Sequence, residues 1–275
     1  MNPSVDLTRA TGPALPLWDS GRVPGFDASL EQNEPALYPY LLKGKPEAGT
    51  IIVCPGGGYA RKAPHEAEPV ALRFNEMGFH AFVLDYRVSP YCGETILSDG
   101  RRAVRVARAN AESLGINGDK IAILGFSAGG HLAAYTATNY DKGRLQDSDP
   151  VERVSSRPDA AVLCYAVQNF TAYPHIGSLI KILGESSTIR DRAEKSPELN
   201  VTCDTPPMFL WHTAQDAGVP AMNSVSMAEQ LILRGIPCAL HIYPFGRHGI
   251  GLGTDNEQAG RWPQEAGLFL RGLGF

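Results

Sequence analysis

Short apolar runs alternate with longer amphipathic segments along most of the chain, from about residue 38 onward. Several of the short runs, such as IIVC and IAIL, are continuous rather than alternating. Continuous apolar runs are typical of strands that are covered on both faces, as in a parallel sheet. The predicted strands are Leu37–Leu42, Thr50–Cys54, His80–Tyr86, Lys120–Phe126, Ala160–Tyr165, Pro207–His212 and Cys238–Phe245.

Helical segments separate these strands. In Glu94–Leu114, apolar residues recur at spacings of three and four from Val104 to Leu114 and form one helical face, and Gly115 follows as a stop signal. The other predicted helices are Glu66–Met77, Ala128–Thr138, Pro220–Leu233 and Gln258–Leu270. Regular alternation of strand and helix predicts an α/β fold with a mostly parallel central sheet and helices on both faces.

Two stretches fall outside this alternation. Residues 1–36 are rich in proline and loop-like, and we expect them to form an N-terminal surface arm. Residues 166–206 are predicted to be an irregular insertion near the active site, because so long a loop in a compact domain is often functional. No internal repeat or linker-like change of composition divides the chain, so we predict a single domain over residues 1–275.

Charge and cysteine content exclude several classes of function. The net charge is −4 and no run is rich in Lys or Arg, so nucleic-acid binding is not expected. No apolar run approaches the roughly 18 residues of a membrane span, and the N-terminus lacks a signal-peptide pattern. The five cysteines include no C-x-x-C pair, which argues against disulfides and structural zinc. We expect a cytoplasmic protein without a metal, cofactor, membrane or nucleic-acid partner, and the oligomeric state stays open.

One motif carries chemistry. Residues 120–131 read KIAILGFSAGGH, which contains the pattern G-x-S-x-G around Ser127. The pattern is informative because a predicted strand precedes it and a predicted helix follows it, as at a nucleophile elbow. The helix N-terminus directs free N–H groups at the reaction centre. We therefore predict that Ser127 is a catalytic nucleophile.

A serine hydroxyl is a weak nucleophile and needs a base that a third group orients. At a G-x-S-x-G elbow the acid follows the serine in sequence and the histidine comes last. Asp216 lies just after the strand PPMFLWH, and His248 lies just after the strand CALHIYPF. Ligand sites lie outside the carboxyl ends of parallel strands, so both positions qualify. We expect Asp216 to be the orienting acid and His248 the base.

Other histidines and acids fit this order less well. His212 and His241 lie at the end of a strand and inside one, where core or supporting roles are more common, and Asp204 precedes its strand. Four further histidines come before the acid in sequence: His65, His80, His131 and His175.

A glycine-rich loop, PGGGY, follows the predicted strand Thr50–Cys54. The anion that develops on an attacked carbonyl needs preorganised donors, which we expect from the Ala128 N–H and from N–H groups of this loop. Tyr59 is expected beside the substrate pocket as one wall. A dinucleotide-binding reading of the loop fails because its third glycine position is occupied by Arg61.

The segments PGGGY, GFSAGGH, HTAQDAGVP and GRHG occur in this order, and with them the sequence resembles the α/β-hydrolase superfamily. It is most similar to a branch of small bacterial esterases that includes acetyl xylan esterases, and the likeness covers nearly the whole chain. The resemblance implies that Ser127, Asp216 and His248 form a catalytic triad and that Gly57, Gly58 and Ala128 hold the oxyanion. Pro55 stands where the hormone-sensitive-lipase-like branch has a histidine, which departs from that branch.

The expected function is therefore a serine carboxylesterase that forms an acyl-enzyme. The resemblance implies short acyl groups, above all acetyl, on a small-molecule or oligosaccharide alcohol such as a xylo-oligosaccharide. The same machinery also suits a feruloyl esterase, a thioesterase or a general carboxylesterase. A non-catalytic binding protein on a hydrolase scaffold is the alternative of another class, and the complete triad argues against it.

Overall fold

A computed structural model describes residues 7–275, so residues 1–6 of the predicted arm lie outside the described part of the chain. Its strands form one eight-stranded sheet in the order β1-β2-β4-β3-β5-β6-β7-β8. They are β1 (Leu15–Pro16), β2 (Ala36–Tyr40), β3 (Thr50–Cys54), β4 (His80–Asp85), β5 (Ile121–Phe126), β6 (Ala160–Cys164), β7 (Met208–Thr213) and β8 (Cys238–Tyr243). The β1–β2 and β2–β4 pairs are antiparallel, and every other neighbouring pair is parallel.

Helices cover both faces of the sheet. They are α1 (Glu68–Glu76), α2 (Gly93–Ala109), α3 (Ala111–Leu114), α4 (Ser127–Thr138), α5 (Ile176–Leu183), α6 (Ile189–Glu194), α7 (Met222–Leu233) and α8 (Trp262–Gly272). Alternate residues of β3 divide between the two layers, because successive strand side chains point to opposite faces. Ile52 belongs to the apolar cluster that includes residues of α2, α4 and α7, whereas Ile51 belongs to the cluster that includes residues of α1 and α8. Burial on both faces explains the continuous apolar runs of the central strands.

The predicted α/β-hydrolase fold is confirmed, with its mostly parallel sheet and helices on both faces. Each predicted strand is present, with ends that differ by at most two residues. The sequence reading missed β1, whose two residues are too few to show a pattern. Within the described part of the predicted arm, β1 pairs with β2 and Leu17 is buried. That residues 1–275 form a single domain stays a prediction.

The prediction that residues 166–206 are irregular was wrong for part of that stretch. It contains α5, α6 and a turn of 3₁₀ helix at Pro197–Asn200. Thr188 begins α6 with a capping box, in which its hydroxyl accepts from the Asp191 N–H and Asp191 accepts in return from Thr188. Residues 166–206 therefore form an ordered, partly helical segment rather than a loop, and we call this segment the cap. No helix within residues 7–275 is long and apolar enough to cross a membrane.

Candidate active site

Ser127 lies on a sharp turn between β5 and α4. Its φ is 52°, in the left-handed region that side chains rarely adopt, which is the strained backbone expected of a nucleophile elbow. The turn fits only because its neighbours are small. A methyl group on Gly129 would fall inside contact distance of the carbonyl oxygens of Cys54 and Pro55. The glycines of the motif thus allow the start of α4 to pack directly against the end of β3.

The structure brings together the three side chains that the sequence placed after β5, β7 and β8. His248 Nε2 lies 2.8 Å from Ser127 Oγ, and His248 Nδ1 lies 2.6 Å from Asp216 Oδ2. The carboxylate can only accept, so Nδ1 carries the proton and donates it to Asp216. Nε2 is then free to accept from the Ser127 hydroxyl. This is the geometry in which a serine can lose its proton to a histidine.

Asp216 is buried and held on both of its oxygens. Oδ1 accepts from the backbone N–H groups of Gly218 and Val219, each at 2.8 Å, while Oδ2 faces His248 and lies 3.3 Å from His212 Nε2. Burial by itself raises the pKa of Asp216, but hydrogen bonds from His212, His248 and the Val219 N–H outweigh it. The net pKa lies well below its ordinary value, so the group stays ionised beside the imidazole.

The glycine-rich loop presents free donors near Ser127. The N–H groups of Gly57 and Gly58 have no hydrogen-bond partner within the described chain, and both residues have positive φ, at 131° and 66°. Ala128 lies in the first turn of α4, where N–H groups have no partner inside the helix. These are the three groups that the resemblance predicted to hold an oxyanion. Their role stays a prediction.

A buried carboxyl group supports this loop from behind. Glu66 Oε2 accepts from the Gly56 N–H at 2.8 Å, and its Oε1 accepts from Tyr165 Oη at 2.6 Å. Tyr165 Oη accepts in turn from the Gly251 N–H at 2.8 Å, and the Tyr165 ring packs edge-on against His248 with 5.1 Å between centroids. Burial raises the pKa of Glu66 and the Tyr165 hydrogen bond opposes the rise. Glu66 and Tyr165 therefore connect the glycine-rich loop to the loop that carries His248.

A cavity of about 320 Å³ opens above Ser127 and His248. This volume is at the small end of the range for ligand pockets. The cavity is framed by the two loops and by one side chain from the cap. Its lining residues are Gly57, Gly58, Arg61, Ala63, His65, Glu66, Ser127, His175, Arg247, His248 and Gly249.

Tyr59 is not a wall of this cavity, which corrects the expectation from sequence. Its side chain is completely buried, its Oη lies 2.7 Å from His131 Nδ1, and its ring packs edge-on against Tyr86. The backbone of Tyr59 is in the left-handed region, with φ of 58°, and its side chain lies in the core. Burial also lowers the pKa of His131 to about 4, so this histidine is a neutral core group.

Several lining residues were not singled out from the sequence. Glu66 was considered only as the start of a predicted helix, Arg61 only as the residue that breaks the dinucleotide-binding pattern, and Arg247 only as part of the segment GRHG. His175 was set aside because it precedes the acid in sequence, yet it lines the cavity from the cap. Sequence order identifies triad members and does not identify pocket walls. No group of His, Cys, Asp and Glu that could hold a metal ion is present in residues 7–275.

Comparison with known proteins finds one matching family and several related hydrolases. The sequence matches the BD-FAE family over residues 40–231. It is 36% identical over 226 residues to endo-1,4-beta-xylanase B of Butyrivibrio fibrisolvens, which covers 80% of this chain and 35% of that protein. It is 29% identical over 255 residues to an acetylxylan esterase of Xylanibacter ruminicola, which covers 90% of this chain and 50% of that protein. The chain thus spans only about a third to a half of the length of these curated relatives.

A solved structure is similar over nearly its entire length. This structure is an acetyl ester-xyloside bifunctional hydrolase from Caldicellulosiruptor lactoaceticus, with a TM-score of 0.93 and 43% sequence identity. The alignment covers 96% of this chain and 97% of that chain. The two proteins therefore share the same fold over nearly their whole lengths.

Proposed function

The chain belongs to the BD-FAE family, and from that premise we propose that it is a serine carboxylesterase acting on short-chain esters of carbohydrates. Acetyl is the acyl group we propose, on an alcohol such as a xylo-oligosaccharide. The observation that carries the proposal is the hydrogen-bonded chain from Ser127 through His248 to Asp216 at the floor of an open cavity.

The proposed reaction proceeds through an acyl-enzyme. His248 Nε2 takes the proton of Ser127 Oγ as the oxygen attacks the ester carbonyl. The resulting oxyanion accepts hydrogen bonds from the N–H groups of Gly57, Gly58 and Ala128. The protonated His248, stabilised by ionised Asp216, gives its proton to the departing alcohol. Water then attacks the acyl-enzyme with the same base, and Ser127 is regenerated with release of acetate.

Two observations support the choice of substrate class. The cavity is small, which favours a short acyl group over a bulky aromatic one. The relatives include an acetylxylan esterase and a hydrolase of acetyl esters and xylosides, so carbohydrate esters are the common chemistry. A feruloyl ester or a thioester would use the same three side chains, and a comparison of acetyl esters, feruloyl esters and acetyl thioesters separates these substrates.

The test compares wild type with Ser127→Ala. We expect wild type to release acetate from acetylated xylo-oligosaccharides and to hydrolyse p-nitrophenyl acetate faster than longer acyl chains. Loss of the nucleophile should lower both rates by about 10⁴-fold or more. A fluorophosphonate probe should label wild type at Ser127 and leave the variant unlabelled. Equal activity in the two proteins, or a folded wild type that neither reacts with the probe nor hydrolyses any ester, would exclude the proposal.

A further inference from the structure

Two arginines stand at the mouth of the Ser127 cavity. Arg61 belongs to the glycine-rich loop and Arg247 directly precedes His248, so they approach the cavity from its two framing loops. Both side chains are exposed. Arg247 is held in place by hydrogen bonds from Nη1 to the carbonyl oxygens of His248, at 2.9 Å, and Gly249, at 3.3 Å. These bonds leave its Nη2 and Nε atoms available to a ligand.

Neither guanidinium is neutralised by the protein. Within the described part of the chain, Arg61 and Arg247 form no ion pair, whereas Arg87, Arg102 and Arg108 each pair with an aspartate. Glu66 is the only carboxyl group in the cavity lining, and its two oxygens are engaged by the Gly56 N–H and Tyr165 Oη. The mouth of the cavity therefore carries two guanidinium groups, and the carboxyl group in its lining is engaged by partners other than these arginines.

A third donor comes from the cap. His175 begins α5, where its Nδ1 accepts from the Ser178 N–H at 3.2 Å. A backbone N–H can only donate, so in the neutral imidazole the proton is on Nε2. Burial and the nearby His248 lower the pKa of His175, which keeps the ring neutral. His175 thus presents an N–H donor in the lining that also contains the two guanidinium groups.

We propose that this cavity selects esters that carry a carboxylate, which Arg61 and Arg247 bind. The inference rests on the proposed esterase function and narrows its substrates to esters that carry a negative charge. On a carbohydrate ester, the matching chemistry is an acetylated oligosaccharide that bears a uronic acid. Arginine suits this task because its planar donors match the two oxygens of a carboxylate.

The experiment uses matched pairs of esters that differ in one charge. 4-Acetoxybenzoate and its methyl ester place the carboxylate on the alcohol side, and the mono-p-nitrophenyl and methyl p-nitrophenyl esters of succinate place it on the acyl side. Each pair is assayed with wild type, with the double variant Arg61→Gln/Arg247→Gln, and with Arg234→Gln. Arg234 is an exposed arginine after α7 whose side chain hydrogen-bonds to Gln230, so its variant controls for the loss of a positive charge far from the cavity lining.

The measured quantity is the charged-to-neutral ratio of kcat/KM, in which intrinsic differences in ester reactivity cancel between proteins. We expect the double variant to lower this ratio about 3- to 20-fold in at least one pair, as the loss of two exposed ion pairs with the substrate implies. Raising the salt concentration should lower the wild-type ratio in the same pair. The pair that responds identifies the side of the ester that carries the carboxylate. Arg234→Gln should keep the wild-type ratio.

An unchanged ratio in both pairs would overturn the inference while leaving the esterase proposal intact, because hydrolysis of p-nitrophenyl acetate tests that proposal separately. A wild type that is inert toward all of these esters would overturn both. A double variant that melts at the same temperature as wild type and keeps the wild-type preference for the charged esters is a further possible result. That result would exclude the two arginines as the carboxylate site.

Discussion

The carboxylate of Glu66 accepts a hydrogen bond from the backbone N–H of Gly56, with 2.8 Å between Oε2 and the nitrogen. Gly56 immediately precedes the two glycines whose free N–H groups are proposed to bind the oxyanion. The other carboxylate oxygen accepts from Tyr165, whose hydroxyl accepts from Gly251 on the loop of His248. One buried side chain therefore fixes the spacing between the proposed donors and the proposed base.

The substitution Glu66→Gln should lower kcat about tenfold with a much smaller change in KM. An amide offers one acceptor and one donor group, so it cannot accept from both the Gly56 N–H and Tyr165 Oη in the present arrangement. The loop then loses a restraint, and misplaced oxyanion donors cost transition-state stabilisation. Steady-state kinetics with p-nitrophenyl acetate and the rate of fluorophosphonate labelling measure this effect.

The control is Glu76→Gln, at an exposed carboxylate that pairs with Arg73 on the surface of α1. This variant should have the kinetics of wild type. If Glu66→Gln keeps both kcat and the labelling rate, then Glu66 has only a packing role.

The substitution Asp216→Asn should lower kcat about 10³- to 10⁴-fold without disrupting the fold. Oδ1 accepts from two backbone N–H groups, Gly218 and Val219, so the amide oxygen of the variant must face them. Its NH₂ group then faces His248 Nδ1, which becomes an acceptor, and Nε2 carries the proton. In this tautomer His248 cannot accept from Ser127.

Kinetics and thermal unfolding of Asp216→Asn test this geometry together. We expect a folded protein with a large loss of kcat, because the two backbone hydrogen bonds to the amide oxygen are retained. A loss below tenfold would show that Asp216 does not set the tautomer of His248.

The substitution Gly129→Ala should destabilise the protein by about 2–3 kcal/mol and reduce activity. The added methyl group would push α4 away from the carbonyl oxygens of Cys54 and Pro55 at the end of β3. Gly272 in α8 is the matched position, because no atom lies within 4 Å of a methyl group added there. Gly272→Ala should be neutral or stabilising by up to about 1 kcal/mol. Equal effects of the two changes on denaturant unfolding would contradict the close packing at the elbow.

Glu198 should make stability depend on pH near neutrality. Its carboxyl oxygens are buried without a hydrogen-bond partner in the described chain, and burial raises its pKa from 4.5 to about 8. The nearby N–H groups of Glu198 and Leu199 oppose this rise without reaching hydrogen-bond geometry. Between these two pH values the folded protein holds a proton that the unfolded chain has lost. Stability contributed by the neutral form therefore decreases as the pH rises from 4.5 to about 8.

The substitution Glu198→Gln removes this titration because the amide is neutral at every pH. We expect its melting temperature to be close to that of wild type near pH 4.5 and about 4–8 °C higher at pH 8, which corresponds to about 2 kcal/mol. Glu112→Gln, at an exposed position in α3, should show no such divergence. Parallel curves of melting temperature against pH for wild type and Glu198→Gln would show that Glu198 is ionised at little cost in the folded protein.

The local sequence determined the order of the elements and the positions that meet at one edge of the sheet. Apolar runs of strand length and helical spacing are encoded by neighbouring residues, so every strand except the two-residue β1 was found to within two residues. Ser127, Asp216 and His248 each follow a strand of the same parallel sheet. Parallel strands end at a common edge, which is why sequence order alone anticipated that these side chains approach one another.

Only the tertiary structure decided what surrounds Ser127, Asp216 and His248. Tyr59 is buried against His131 and Tyr86, which come from distant segments, and no pattern of hydrophobic positions encodes those contacts. Glu66 acquires its role from Tyr165, 99 residues away, and Arg61 meets Arg247 at one cavity through two separate loops. Such contacts are set by the packing of distant segments. The chain's local pattern therefore specified the framework and the approach of the three side chains, while packing specified the supports, the walls and the charge of the cavity.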